Sequence, residues 1–289
     1  TPAQIRTAVR FAGLVTPALD CTFETLIDRQ LQNADRALGN SPNDHAQRPS
    51  ATTYSLDMLN VESRFEIPRI VQALKARGHG TLCFFGAPGT GKTALAEHIA
   101  KALDKPLIVK QASDLMSKYV GETEQQMAAM FRDAQAEKAV LLLDEADSFL
   151  QDRRGAQRSY EVTEVNEMLQ GMERFNGVFI CTTNLLERLD QAALRRFTFK
   201  IAFKPLTRAQ RQHMFVTEAL DGDAAAMRDS QRSRLDRLDV LCPGDFAAVK
   251  RQAEILGEAM TGDEFLDQLE AEHRIKPEVR ENRAIGFLQ

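Results

Sequence analysis

The eight residues from Gly86 to Thr93 have the types and spacing of a phosphate-binding loop. They read GAPGTGKT, which matches G-x-x-x-x-G-K-[ST], between an apolar strand pattern and a helical one. Glycines let the backbone wrap around phosphate oxygens, and the N–H groups of the loop and of the helix start face those anions. Lys92 is predicted to reach the β- and γ-phosphates and Thr93 to ligate Mg²⁺. The full predicted nucleotide-binding set is Gly86, Ala87, Pro88, Gly89, Thr90, Gly91, Lys92, Thr93 and Ala94.

Two adjacent carboxylates, Asp144 and Glu145, follow the apolar run Val140–Leu143. Ligands of open α/β sheets bind at the carboxyl ends of the strands, so both acids are expected beside the nucleotide. Asp144 is predicted to hold the Mg²⁺ shell, and Glu145 to orient and deprotonate the attacking water. The same pair could be a solvated strand end, but the phosphate-binding loop upstream favours the catalytic interpretation.

The elements that would position these residues follow from alternating strand and helix patterns. Short apolar runs predict five strands, each connected to the next by a helical pattern or a loop: Thr81–Phe85, Leu107–Lys110, Val140–Leu143, Val178–Thr182 and Thr198–Phe203. Wholly apolar strands are typical of a parallel sheet covered on both faces. The predicted fold class is α/β, a three-layer αβα P-loop domain with a five-stranded parallel sheet, followed by a small all-α lid domain.

Four segments are predicted along the chain. Residues 55–205 form the nucleotide-binding αβα domain, and residues 206–289 form the helical lid and a C-terminal tail. Residues 39–54 are rich in Ser, Pro, Asn and Thr without apolar periodicity, which indicates a linker. The helical pattern of residues 1–38 begins like the one at Cys242, so it is either the lid of an upstream domain or an accidental similarity.

Composition limits the class of protein. The net charge of −4 and a pI near 5.8 give no general attraction to nucleic acid. Apolar runs reach only about five residues, whereas a helix that spans a bilayer needs roughly 20, so no membrane partner is expected. Four widely spaced cysteines include Cys83 and Cys181 inside apolar runs, which predicts reduced core thiols and a cytoplasmic location.

The motifs GAPGTGKT, LLLDEAD and NGVFICTTN, followed by LDQAALRRF, resemble the AAA clade of the AAA+ ATPase superfamily over residues 56–260. The resemblance implies ATP and Mg²⁺ as cofactors and a homo-oligomeric ring, most often a hexamer. It implies that Asn184 helps to place the lytic water. It also implies that Arg195 and Arg196 reach the nucleotide of the neighbouring subunit. Arg196, just before Phe197, fits the pattern of the superfamily best. Many relatives have a further arginine where this chain has Phe199, so it stays open whether Arg195 or Arg196 is the principal one.

The loop SKYVGETE (residues 117–124) lies between the second predicted strand and the helical pattern that follows it. This loop resembles the first pore loop of substrate-threading AAA proteins. The resemblance implies that Lys118, Tyr119 and Val120 grip an extended polypeptide. Packing of Tyr119 onto the next helix is the alternative. The basic segment 151–158 is expected to face either a central channel or the next subunit.

Two further resemblances concern the nucleotide. Leu59, Asn60 and Val61, with Asn60 as the candidate contact, lie in the stretch before the phosphate-binding loop where relatives hold adenine through backbone contacts. The segment Pro243–Phe246 resembles the start of the sensor-two helix of the lid. A following lysine or arginine is expected to face solvent rather than nucleotide.

The leading functional prediction is Mg²⁺-dependent ATP hydrolysis by a ring-shaped oligomer that remodels or threads a protein substrate. The alternative is a DNA-associated AAA+ ATPase of the loader or transposition type, for which hydrolysis would respond to nucleic acid and depend steeply on salt. A nucleotide switch with little turnover is a third class. The presence of Glu145, Asn184 and Arg196 argues against that class.

Overall fold

The computed structural model describes residues 55–117, 119, 121–150, 159–257, 259–277 and 279. The predicted helical segment 1–38, the linker 39–54 and the basic segment 151–158 lie outside these residues, as do Lys118 and Val120. Their predictions therefore stay predictions.

The first part of the described chain alternates strands and helices. The strands are β1 (Asn60–Glu62), β2 (Gly80–Gly86), β3 (Leu107–Gln111), β4 (Val140–Asp144), β5 (Val178–Thr183) and β6 (Phe199–Lys204). The helices are α1 (Ile67–Arg77), α2 (Lys92–Ala102), α3 (Ala112–Leu115), α4 (Glu122–Ala136), α5 (Ser159–Arg174) and α6 (Gln191–Arg196).

The strands form one sheet in the order β1-β6-β2-β5-β4-β3, and all pairs except β1–β6 are parallel. The predicted α/β class and parallel core are confirmed. The described sheet has six strands instead of five, because Asn60–Glu62 pairs antiparallel with β6. A three-residue edge strand is too short to show a period of its own.

Alternation along the central strands divides the apolar core between the two faces of the sheet. On one face, Leu141 and Leu143 pack with Met127 and Phe131 of α4 and with residues of α5. On the other face, Leu142 and its neighbours pack with residues of α1 and α2. The three layers hold the carboxyl ends of β2, β4 and β5 side by side.

The predicted core cysteines follow the same pattern. Cys83 in β2 and Cys181 in β5 are fully buried free thiols in register with each other. Burial raises the pKa of the Cys181 thiol. Both side chains therefore act as small core residues.

The second part of the described chain is helical, with α7 (Arg208–Ala219), α8 (Asp229–Asp236), α9 (Pro243–Leu256) and α10 (Gly262–Ile275). Capping boxes at Thr207 and Thr261 begin α7 and α10, because each side-chain hydroxyl accepts from a backbone N–H of the first turn. Phe215, Phe246 and Leu266 lie in a separate apolar core. Within the described residues, no helix has both the length and the apolarity to cross a bilayer.

Candidate functional site

The phosphate-binding loop connects β2 to α2 and depends on its glycines. Gly86, Gly89 and Gly91 have φ values of 138°, 75° and 96°, a region that disfavours residues with a Cβ. A Cβ on Gly86 would also strike the carbonyl oxygen of Phe203 in the neighbouring strand. The buried Thr90 hydroxyl donates to Ala87 O at 2.7 Å and holds the loop closed from inside. The backbone amides of the loop are thus left to face a ligand.

Lys92, the first residue of α2, turns back over the loop. Its Nζ donates to the carbonyl oxygens of Gly86 (2.7 Å) and Ala87 (3.0 Å) and to Asn184 Oδ1 (2.9 Å). Burial lowers the pKa of Lys92, and the nearby carboxylates, first among them Asp144, oppose that shift. A desolvated ammonium group held by neutral oxygens is well suited to exchange them for phosphate oxygens.

The two carboxylates lie at the end of β4, as predicted, but they differ in environment. Asp144 is half-buried, whereas Glu145 is exposed and has a left-handed backbone with φ 55° and ψ 44°. The Thr182 hydroxyl of β5 donates to Asp144 Oδ1 and accepts from the Glu145 N–H at 3.1 Å. The next hydroxyl, that of Thr183, donates to Asp147.

Sequence reasoning missed both threonines. The available signal was two consecutive hydroxyl residues at the end of an otherwise apolar strand, directly before Asn184.

A cavity of about 370 Å³ brings the predicted residues together. Loop residues, both carboxylates and Asn184 contribute polar groups to its lining, and Met58, Leu59 and Met214 contribute apolar side chains. The lining comprises Ser55, Met58, Leu59, Pro88, Gly89, Gly91, Lys92, Thr93, Ala94, Asp144, Glu145, Thr182, Asn184, Met214, Pro243, Gly244 and Ala247.

Asn60 does not line this cavity. Its side-chain amide donates to Pro205 O, within the edge of the sheet, while the preceding Leu59 lies in the wall. Gln210 of α7 donates to Leu59 O at 2.8 Å and so anchors this wall to the helical part. The predicted adenine contact of Asn60 stays a prediction, and Leu59 is the residue of that stretch at the cavity.

The start of α9 touches the phosphate-binding loop directly. Gly244 N donates to Gly89 O at 2.8 Å, and Cα-to-Cα packing of two glycines makes this approach possible. The segment Pro243–Phe246 therefore contacts the loop through backbone rather than through a charged side chain. Lys250, farther along α9, donates to Glu218 at 2.7 Å instead of facing the cavity.

Gly244→Ala is expected to push this helix off the loop. The added Cβ would lie 2.7 Å from Gly89 Cα, and overpacking of this kind costs about 1–3 kcal/mol. Because the strain falls on the nucleotide side of the cavity, the expected result is roughly tenfold weaker nucleotide binding, measured by titration with a fluorescent ATP analogue. Gly257→Ala controls for a general loss of stability: its φ of 68° strains an alanine at the other end of α9, but nothing lies within 4 Å of the added Cβ, so nucleotide affinity is expected to stay unchanged. Equal affinity of Gly244→Ala and wild type would contradict the role of this contact.

The two arginines of α6 lie outside the cavity lining and have different surroundings. Arg196 Nε forms an ion pair with Glu173 Oε1 at 2.7 Å, and its NH1 donates to Ala192 O at 2.9 Å. Arg195 is exposed, and no hydrogen bond or ion pair of its side chain is found within the described part of the chain. Arg195 is thus the guanidinium available to another molecule.

Tyr119 projects from a hydrogen-bonded turn between α3 and α4. Its side chain is 72% exposed, and that of Met116 is 57% exposed. The Ser117 hydroxyl donates to Glu122 at 2.5 Å and accepts from Tyr119 N at 3.2 Å, while Ser117 N donates to Thr123 at 3.1 Å. The alternative in which Tyr119 packs onto the next helix is not what the structure shows.

The cavity fits a nucleoside triphosphate with magnesium. Its lining offers loop amides around a glycine cradle and the desolvated Lys92. Thr93 and Asp144 present the oxygen ligands that Mg²⁺ prefers. Leu59 and Met214 add apolar side chains to the lining, which suit contact with a base. Fold and site together define a P-loop nucleoside-triphosphatase domain.

Comparison with known proteins narrows this class. The family model described as "ATPase family associated with various cellular activities (AAA)" matches residues 82–205. The uncharacterized protein ORF529 of Acidianus two-tailed virus is 38% identical over 152 residues, which are 47% of this chain and 29% of that protein. Spastin of Drosophila mojavensis is 28% identical over 197 residues, which are 65% of this chain and 26% of that protein.

A solved structure has the same fold. A chain of the E. coli MS115-1 HORMA:CdnC:Trip13 complex matches with a TM-score of 0.57 and 19% identity, over 76% of this chain and 97% of that chain. Residues 82–205 therefore form a domain of the AAA ATPase family. The chain spans less than a third of the length of the two curated relatives described above.

Proposed function

We propose that the chain binds and hydrolyses ATP with Mg²⁺ as one subunit of a homo-oligomeric ring, and that hydrolysis remodels or threads a protein substrate. The observation that carries the proposal is the single cavity lined by Lys92, Asp144, Glu145 and Asn184. Each of these side chains would have a different role in phosphoryl transfer. The family whose model matches residues 82–205 is one of ATPases.

The chemistry of each side chain determines its proposed role in hydrolysis. Bound Mg·ATP supplies the γ-phosphoryl group and a metal ion that neutralises its charge. Lys92 binds phosphate oxygens, and Thr93 and Asp144 hold the metal. Glu145 accepts the proton of the attacking water, which Asn184 helps to orient. In the described structure Lys92 uses its three donors on Gly86 O, Ala87 O and Asn184 Oδ1, so binding of phosphate oxygens requires it to release at least one of these acceptors.

The exposure of Arg195 supports assembly of the active unit from several chains. A site that stabilises developing charge on the phosphates gains from a guanidinium group, and within the described residues the cavity lining contains none. Arg195 has no partner within the described part of its own chain. Delivery of this group to a neighbouring subunit's nucleotide requires a repeating, head-to-tail arrangement, which forms a ring when the rotation between subunits closes.

The exposed turn around Tyr119 supports a protein substrate. Large apolar side chains gain little from contact with water, so the exposure of Tyr119 and Met116 together indicates a contact surface. The hydrogen bonds of Ser117 hold this surface in place relative to α4. A rigid aromatic group on a loop can grip an extended chain without selecting its sequence.

One experiment tests the proposal against its alternative. ATP turnover by the full chain is measured alone and with an unfolded protein, single-stranded DNA or duplex DNA, at two salt concentrations. Stimulation by the unfolded protein is the expected result. Stimulation by DNA alone, with a steep loss at higher salt, would instead assign the chain to DNA-associated ATPases. Absence of turnover under all conditions would remove the ATPase proposal itself.

Tyr119→Ala is expected to abolish stimulation by the unfolded protein and leave basal turnover within about twofold of wild type, as expected for an exposed substitution. The side chain is exposed, so its removal does not disturb the core. Tyr119→Phe is the matched control, because it keeps the ring and loses only the hydroxyl. Full stimulation of the alanine variant would separate Tyr119 from substrate contact.

A further inference from the structure

Thr182 occupies an unusual place in the hydrolytic site. It lies near the end of β5, is 1% exposed and follows Cys181, which is in register with Leu143 of β4. This position sets its side chain beside the residues that leave β4. Its hydroxyl donates to Asp144 Oδ1 and accepts from the backbone N–H of Glu145 at 3.1 Å.

One hydroxyl group thus contacts two adjacent residues: it donates its hydrogen to Asp144, and its oxygen accepts from Glu145 N. A threonine hydroxyl has one hydrogen to donate, and here Asp144 receives it. The bond to Oδ1 fixes the rotation of the Asp144 carboxylate about its last torsion. The neighbouring Glu145 has a left-handed backbone that costs a non-glycine residue about 1–2 kcal/mol. Its N–H bond to Thr182 helps to hold that conformation, in which Glu145 is exposed and lines the cavity.

We propose that Thr182 is a positioning residue that sets the metal ligand Asp144 and the general base Glu145 in one geometry. The inference rests on the proposed ATPase function of the same cavity. No described side chain other than that of Thr182 hydrogen-bonds to Asp144. The arrangement acts like an outer-shell partner of a metal site, whose loss typically lowers metal affinity or activity by about 10–100-fold.

The test uses substitutions that separate the hydroxyl from the volume of the side chain. Thr182→Val keeps the shape and removes both hydrogen bonds, whereas Thr182→Ser keeps the hydroxyl and removes a methyl group. Binding of a slowly hydrolysed fluorescent ATP analogue to the full chain is titrated with Mg²⁺ and, separately, in excess EDTA. We expect Thr182→Val to need roughly tenfold more Mg²⁺ for half-maximal binding. Affinity in EDTA is expected to stay unchanged, and Thr182→Ser to restore the wild-type Mg²⁺ requirement.

The adjacent Thr183 provides the matched control. It is equally buried, but its hydroxyl donates to Asp147 instead of Asp144. Thr183→Val is expected to lower the melting temperature to a similar degree without a change in the Mg²⁺ requirement. If both valine variants shift that requirement equally, the effect is a general loss of structure and the inference is overturned.

The remaining outcomes are also decisive. A wild-type Mg²⁺ requirement in Thr182→Val overturns the inference even when the chain hydrolyses ATP. A wild-type chain that binds but never hydrolyses ATP contradicts the proposed function, and the Mg²⁺ titration still reports on Thr182. Should Thr182→Val fail to fold, Thr182→Cys takes its place, since its thiol is a similar size and only a weak donor.

Discussion

Glu145→Gln is expected to lower ATP turnover by about 10²–10⁴-fold while ATP binding is kept. The substitution preserves the size of the side chain and the backbone hydrogen bond to Thr182, but an amide cannot accept the proton of water. Glu145 is exposed and lines the cavity, and no hydrogen bond of its carboxylate is found among the described residues. The carboxylate is thus available to a water molecule beside the phosphates.

Two measurements on the same preparation check this result. Steady-state phosphate release reports turnover, and retention of labelled nucleotide after rapid gel filtration reports binding. We expect phosphate release to be lost and bound ATP to be retained longer than in wild type. Glu137→Gln, at the far end of α4 and exposed, makes the same chemical change away from the cavity and is expected to behave as wild type. Unaltered turnover in Glu145→Gln would remove this residue from the mechanism.

Arg195→Ala is expected to cause the largest loss of turnover among the charged residues outside the cavity, about 10³–10⁵-fold. Its guanidinium is exposed and has no partner within the described residues, so it is free to reach a neighbouring nucleotide. Arg196 is engaged by Glu173 and by Ala192 O. Arg196→Ala is therefore expected to act indirectly, through the position of α6, with a smaller loss.

Mixed assemblies test whether Arg195 acts between subunits. Arg195→Ala chains keep an intact cavity, and Lys92→Ala chains keep an intact arginine but lose the phosphate contact. Mixing two inactive chains should recover part of the turnover, because some cavities then receive an arginine from the other chain. Glu173→Gln should reproduce the effect of Arg196→Ala. A severe loss in Arg196→Ala with near-normal turnover in Arg195→Ala would reverse the assignment.

Local signals made three features predictable from sequence: the phosphate-binding loop, the carboxylates and the strand that precedes Asn184. Glycine spacing records backbone conformations that other residues avoid, and the structure has positive φ at Gly86, Gly89 and Gly91. Apolar runs record burial on both faces of a parallel sheet. Parallel strands then bring their carboxyl ends to one edge, so residues far apart in sequence converge without further information.

The features that were missed depend on contacts between residues distant in sequence. The edge strand β1 exists because Asn60 to Glu62 pair with β6, about 140 residues later. The sequence predicts a helix start at Gly244. It does not predict the contact of Gly244 with Gly89, because that contact depends on how two distant parts of the chain pack together. Pairing and docking of this kind leave no periodic trace in either partner alone.

The sequence by itself therefore determines which chemical groups the site contains, through the residue types and spacing of the loop and the strand ends. The precise placement of that chemistry belongs to the fold. In the sequence Thr182 is one more strand residue, and its role follows only from the placement of β5 beside β4. Arg196 matches the superfamily pattern best by sequence, but the structure pairs it with Glu173 and leaves Arg195 exposed. Hydrogen bonds and ion pairs across the fold depend on distances of a few tenths of an ångström, which residue order alone does not specify.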